Sequence, residues 1–204
     1  MLTVGLTGGL ACGKSFVASE LQKRGCHIIR ADQLGHEVLA PDGEASRAVI
    51  ERFGPSILDA EGRIQRSRLA EIVFRDPEAL KALNGIVHPA VRLREAQMIE
   101  AIRASDPHAI VVIEAAILIE TGFYKEFDKL IVVVCDESAQ LERALARDPQ
   151  ARREDVVARL GRQMPAAEKR KYADFVIDTS GTPDDTARQT IEVYSALRAL
   201  VLSE

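Results

Sequence analysis

The sequence predicts an α/β protein whose core is a doubly wound parallel sheet. Short runs rich in Ile and Val recur along the chain, of the kind that suits strands buried on both faces of a parallel sheet. Segments with helical patterning separate these runs, as in alternating strand–helix folds. A Gly-rich stretch at residues 8–15 stands where the first strand gives way to the first helix.

Residues 2–7 are an apolar, β-branched run that stops at Gly8-Gly9, and they read as a buried first strand. A helix over 14–24 follows, with Gly25 as its stop signal. Residues 26–30 (CHIIR) read as a second strand that ends at Ala31-Asp32. Between 33 and 106 no segment reads as a buried parallel strand. Helices are expected instead at 44–53, 67–74, 77–87 and 89–104, with Pro89 in the first turn of the last, where its missing N–H is tolerated. The clearest strands are 109–116 (AIVVIEAA) and 130–135 (LIVVVC), and a weaker fifth covers 175–177. Helices over 138–147 and 183–200 complete the pattern.

Composition narrows the function classes. The 204 residues, 47% hydrophobic, suit one core with excursions. A net charge of −4 argues against a nucleic-acid-coating protein. Cys12, Cys26 and Cys135 form no CxxC pair, which implies reduced thiols and a cytoplasmic chain rather than a disulfide scaffold. The start MLTVGLTGG lacks the charged head and long apolar run of a signal peptide. No run reaches the ~18 apolar residues of a membrane span, so no membrane partner is expected.

Residues 8–15, GGLACGKS, match G-x-x-x-x-G-K-[ST]. In this motif the backbone curls so that its N–H groups face phosphate oxygens. Gly8 and Gly13 tolerate the required dihedrals, and a helix opening at Lys14 offers unpaired N–H groups and a positive dipole end. Lys14 would carry an ammonium to the β- and γ-phosphates, and Ser15 a hydroxyl to Mg²⁺. Strand, loop and helix in that order predict a P-loop NTPase fold, which GTPases, ATPases and kinases share.

Guanine specificity is unexpected, because the single Asn, Asn84, precedes Gly85 and forms no Asn-Lys-x-Asp reader. Glu114 ends the third strand and only loosely matches a metal-serving Asp. Asp32, just past the second strand, lies at the ligand-binding edge of such sheets. It could take the proton of an attacking hydroxyl or hold a metal-bound water, or it could cap a helix that starts at Gln33-Leu34. Between 143 and 171 there are nine basic residues, Arg162 among them, against four acidic ones, a local balance of +5. Arginines here suit a lid over ATP, since the guanidinium fork matches phosphate oxygens. A solvated helix face with internal pairs is the other reading for Arg153 and Lys169.

Taken together, these residues resemble the dephospho-CoA kinase family over nearly the whole chain. Four stretches carry the likeness. VGLTGG…GKS is similar to the family's phosphate loop, and Ala31-Asp32 to its acidic position. A long helical match runs through Phe53-Gly54, Ile57-Leu58, Gly62-Arg63-Ile64, Arg66, Leu69, Val73-Phe74 and Ile86-Val87-His88-Pro89. The fourth includes Leu118, Glu120, Arg143, Arg147, Arg159, Gln163, Ala173-Asp174 and Ile177-Asp178.

The resemblance implies transfer of the ATP γ-phosphate to the ribose 3′-hydroxyl of dephospho-CoA. It implies one domain over 1–204 with three subregions: a nucleotide-binding core (1–32, 107–142, 173–204), a helical acceptor-substrate region (33–106) and a lid (143–172). It implies Asp32 as base or orienting group, with Lys14 and Arg143 stabilising the phosphoryl group. Gly9, Ala11, Cys12, Gly13, Lys14, Ser15, Phe16, Arg147 and Thr179 would serve ATP, with Thr179 near the adenine. His88, Arg66 and Asp32 would face the acceptor. The partners implied are small molecules, acted on by a monomer or small homo-oligomer. His27, His36 and His108 read as structural or surface residues.

Several positions depart from the family pattern. Ala11-Cys12 stand for Gly-Ser, Phe16 for Thr, Gln65 for Asp, Ala116 for Pro and Thr179 for Asn. Cys12, in a loop before a helix, is expected to ionise readily, and its alkylation to block ATP binding. Two other readings stay open: a different P-loop small-molecule kinase of the nucleoside monophosphate kinase type, or a nucleotide-binding regulator without turnover.

Overall fold

The computed structural model describes residues 1–148, 150–161 and 163–202. Arg162, counted above in the basic stretch, lies outside the described residues. The chain divides into two compact units, one formed by Met1–Arg30 with Ile102–Glu204 and the other by Ala31–Ala101.

The first unit holds a five-stranded sheet of β1 (Leu2–Gly8), β2 (His27–Arg30), β3 (Ile110–Glu114), β4 (Lys129–Val134) and β5 (Phe175–Asp178). The strand order is β2-β3-β1-β4-β5, and every pair is parallel. β3 is buried throughout its length, and so is β4 after Lys129. Their lack of hydrophobic alternation follows from having both faces covered. β1 lies between β3 and β4, so its carboxyl end falls where the winding changes direction, the usual ligand edge of such sheets. Helix α1 (Lys14–Gln22) packs Val17, Ala18 and Leu21 onto the core, together with Val193, Leu197 and Val201 of the C-terminal helix Pro183–Leu202.

The second unit is helical: α2 (Ala31–Glu37), α3 (Ser46–Phe53), α4 (Arg66–Arg75) and α5, which begins at Pro77. Its own core is Val49, Ile57 and Leu69, with Leu83, Ile86 and Val87 of α5 packed against it. Two expectations are corrected here. The helices expected at 77–87 and 89–104 are one 29-residue helix, Pro77–Ser105, with Pro89 inside it. Pro89 removes one backbone bond, a defect of roughly 3 kcal/mol. The residues just before it, Leu83, Ile86 and Val87, keep the amphipathic face packed on the core and carry the helix through. Asp32 is not the cap of a helix at Gln33-Leu34, because α2 starts at Ala31 and Asp32 sits inside its first turn.

The basic stretch expected as a lid runs from within α6 (Glu137–Arg147) through α7 (Arg153–Leu160) and α8 (Ala166–Arg170). Arg152–Asp155 and Lys171–Glu168 are the exposed short-range pairs that a solvated face would show. Lys169 is not part of that face. It is 2% exposed, with Nζ 2.8 Å from Glu120 Oε1, in close ionic contact though not aligned as a hydrogen bond. Arg170 ties α8 to Asp178 at 3.0 Å. Among the described residues no helix is long and apolar enough to cross a membrane.

Candidate active site

The site grows from the carboxyl end of β1. Gly8 still pairs in register with Val133, and a Cβ there would run into the Val133 carbonyl oxygen, so the strand can turn into the loop only with glycine at this point. Gly13 takes φ 79 as the residue before α1, the left-handed geometry that glycine adopts freely. Between them Ala11 holds φ 57, a conformation that costs an L-residue about 1–2 kcal/mol. Ala11→Gly is therefore expected to raise unfolding free energy by about 1 kcal/mol, after the entropy glycine adds to the unfolded chain. Urea denaturation checks this, and a loss of stability would overturn it.

Lys14 and Ser15 are the first residues of α1, where free N–H groups and the helix dipole favour an anion. Lys14 Nζ donates to the carbonyls of Gly8 at 3.0 Å and Gly9 at 3.1 Å, so its charge is folded over the loop. Ser15 Oγ donates to Glu114 Oε1 at 2.9 Å. Glu114 is 8% exposed, and its Oε2, which accepts no hydrogen bond, lies 3.4 Å from Arg30 Nε. A hydroxyl beside a buried carboxylate is a hard oxygen set that fits Mg²⁺. Among the described residues no three His, Cys, Asp or Glu side chains cluster to hold a metal. That is compatible with Mg²⁺, which usually takes only one or two protein ligands beside phosphate oxygens.

The loop is held from two sides by residues remote in sequence. Thr179, 4% exposed, donates its hydroxyl to the Cys12 carbonyl at 3.0 Å and packs against Gly13. Arg143 grips Thr179 through Oγ1 at 3.0 Å and the carbonyl at 2.7 Å. Gln163 accepts from the Leu10 N–H at 2.8 Å, so one loop amide is tied to a side chain 153 residues away. Cys12 Sγ and Cys135 Sγ lie 3.3 Å apart in the core beneath the loop.

The fold thus gathers Gly9, Ala11, Cys12, Gly13, Lys14, Ser15, Thr179 and Arg143 into one constellation. Phe16 is 40% exposed. Arg147, at the end of α6, is exposed and makes no ion pair among the described residues. Asp32 is exposed on α2, two residues beyond the end of β2. His88 is partly buried on α5, and that burial lowers its pKa. Arg66 is exposed and meets Nε2 of His36, which gives His36 a partner the sequence did not reveal. Two contributors went unassigned in the sequence. Glu114 was only a loose match to the usual strand-end Asp. Gln163 carried no local signal beyond its place in the family pattern.

The dephospho-CoA kinase family model matches residues 2–185. A dephospho-CoA kinase of Aquifex aeolicus is 41% identical over 97% of this chain and 98% of its own. One of Geobacter metallireducens is 42% identical over 95% and 96%. Among solved structures, a Thermus thermophilus protein superposes with a TM-score of 0.81 at 32% identity, covering 96% of each chain. Campylobacter jejuni dephospho-CoA kinase does so at 0.72 and 27% identity, covering 97% of each. The family model and relatives match along almost the full length: the chain belongs to the dephospho-CoA kinase family.

Proposed function

We propose that the chain transfers the γ-phosphate of Mg-ATP to the ribose 3′-hydroxyl of dephospho-CoA, giving coenzyme A and ADP. The observation that carries this reading is the phosphate loop with Lys14 folded over it and Ser15 bonded to Glu114, in a chain of this family.

The loop amides from Gly9 to Ser15 bind the phosphates and fix the γ-phosphorus for in-line attack. Lys14 and Arg143 stabilise the charge that spreads over the transferring group, Arg143 after exchanging its grip on Thr179 for phosphate oxygens. Ser15 would hold Mg²⁺, with Glu114 beside it. When bound, the ion neutralises β- and γ-phosphate charge. Arg147 and Phe16 border the nucleotide, and Thr179 positions the loop and its adenine side. Asp32 takes the proton of, or orients, the ribose hydroxyl, a role supported by its place just after β2. The helical unit supplies Arg66 and His88 for the acceptor. Small molecules are the partners, for a cytoplasmic monomer or small homo-oligomer.

ADP release with ATP and Mg²⁺ is expected to rise strongly when dephospho-CoA is added. Equal release without it, or stimulation only by nucleoside monophosphates, would overturn the acceptor assignment. Tight ATP binding with no ADP formed would favour a regulator.

A further inference from the structure

We infer that Cys12 and Cys135 are a peroxide-oxidisable thiol pair, and that their disulfide disables the phosphate loop. The functional half of this inference rests on the kinase reading above, whereas the cross-link itself does not.

The two sulfurs are 123 residues apart in sequence and 3.3 Å apart in space. Cys12 is 3% exposed and Cys135 8%. Covalent closure asks the sulfurs to approach to about 2.0 Å. Cys135 follows directly on β4, whose last residues are pinned by Val133 to Gly8 and by Val134 to Asp178. The loop is therefore the partner that moves. Cys12 lies between the two left-handed residues Ala11 and Gly13, and its carbonyl holds the Thr179 hydroxyl. Drawing its side chain toward β4 turns the peptide groups on either side of it, and these are the groups that cradle phosphate.

The two thiols are chemically unequal. The Cys135 S–H donates to the Cys12 sulfur, and this bond, helped by the Lys14 ammonium and opposed by burial, holds the Cys12 thiol down to about 7. The same bond, with burial, pushes the Cys135 thiol well up. Cys26, by contrast, is pushed up to about 11 by burial. Thiolate character at one member beside a proton-bearing neighbour is the arrangement of a redox-active pair. The Cys12 thiolate attacks a peroxide oxygen, the O–O bond breaks, and hydroxide leaves, giving a sulfenic acid. The Cys135 sulfur then attacks the Cys12 sulfur, and the sulfenic hydroxyl departs with the Cys135 proton as water. Two thiols are oxidised and one hydroperoxide is reduced to water. The burial of Cys12 suits a small uncharged oxidant better than the bulky alkylating reagents its sequence context suggests.

The test is titration of the reduced full-length chain with hydrogen peroxide. Three outcomes are expected: titratable thiols fall from the three free cysteines to one, a peptide map joins Cys12 to Cys135, and affinity for a fluorescent ATP analogue drops by about tenfold or more. Dithiothreitol restores all three. Cys135→Ala is expected to keep basal ATP binding and turnover and to form no cross-link, and Cys135→Ser replaces it if alanine loosens the core. Thiol loss without the 12–135 linkage, or a linked chain with unchanged ATP affinity, overturns the inference. None of these three readouts uses an acceptor, so failure of the dephospho-CoA assignment would leave them intact.

Discussion

Lys14→Met is expected to lower kcat/KM by about 10³-fold, because in the proposed mechanism it removes the donor that stabilises charge on the transferring phosphoryl group. The ammonium is already held at the loop by the Gly8 and Gly9 carbonyls at 3.0 and 3.1 Å. Little reorganisation therefore precedes its use. Methionine keeps most of the aliphatic stem and loses the charge, and the partly exposed position opens no core cavity. Stability should therefore change by no more than about 0.5 kcal/mol. The loss should fall mainly on kcat, since an interaction strengthened in the transition state lowers kcat and kcat/KM together. Lys14→Arg is expected to rescue poorly, because a planar fork does not reproduce a compact point charge in so tight a loop. Steady-state kinetics beside an ATP-binding titration check this. A methionine variant with near-normal kcat would remove Lys14 from the chemistry.

What the sequence revealed follows from the range over which each signal acts. The P-loop was legible because glycine, helix start, lysine and serine are fixed within eight residues, and their local geometry requires those types. β3 and β4 were legible because strands buried on both faces become unbroken Ile/Val runs. The single helix Pro77–Ser105 was not, because proline is a strong local stop signal that was outweighed here by packing on Val49, Ile57 and Leu69. Lys169 looked like another surface cation. Only the tertiary arrangement shows it buried against Glu120. The loop's supports were hidden for the same reason. Gln163 reaches Leu10 across 153 residues, and Thr179 reaches Cys12 across 167. Such pairs have no local periodicity, and the residue types alone do not announce them. In sequence, Glu114 matches the strand-end metal position only loosely. Its significance came from the contact with Ser15 and from an oxygen left without a hydrogen bond.

Asp32→Asn is expected to reduce kcat by roughly 10²–10⁴-fold, the range that positioned acid–base groups supply, with ATP affinity changed less than about twofold. The expectation separates two routes to lost activity. Asp32 is exposed in the first turn of α2, so its replacement leaves no buried partner unsatisfied. Losing an acidic group near the helix N-terminus costs only about 0.3–1 kcal/mol. A large fall in kcat would then report chemistry and not unfolding. It should appear only in acceptor-dependent turnover, because the proposed ATP contacts are the loop, Lys14 and Arg143 and do not include Asp32. Comparison with Asp32→Ala distinguishes proton acceptance from orientation. A carboxylate that takes the proton is replaced no better by Asn than by Ala. One that only orients the hydroxyl is partly replaced by the Asn carbonyl, as the loose transition state of phosphoryl transfer would permit. We expect Asn to fare no better than Ala. Acceptor-dependent turnover of Asp32→Ala within a fewfold of wild type would overturn the assignment and move the search for the hydroxyl's partner to Arg66 and His88.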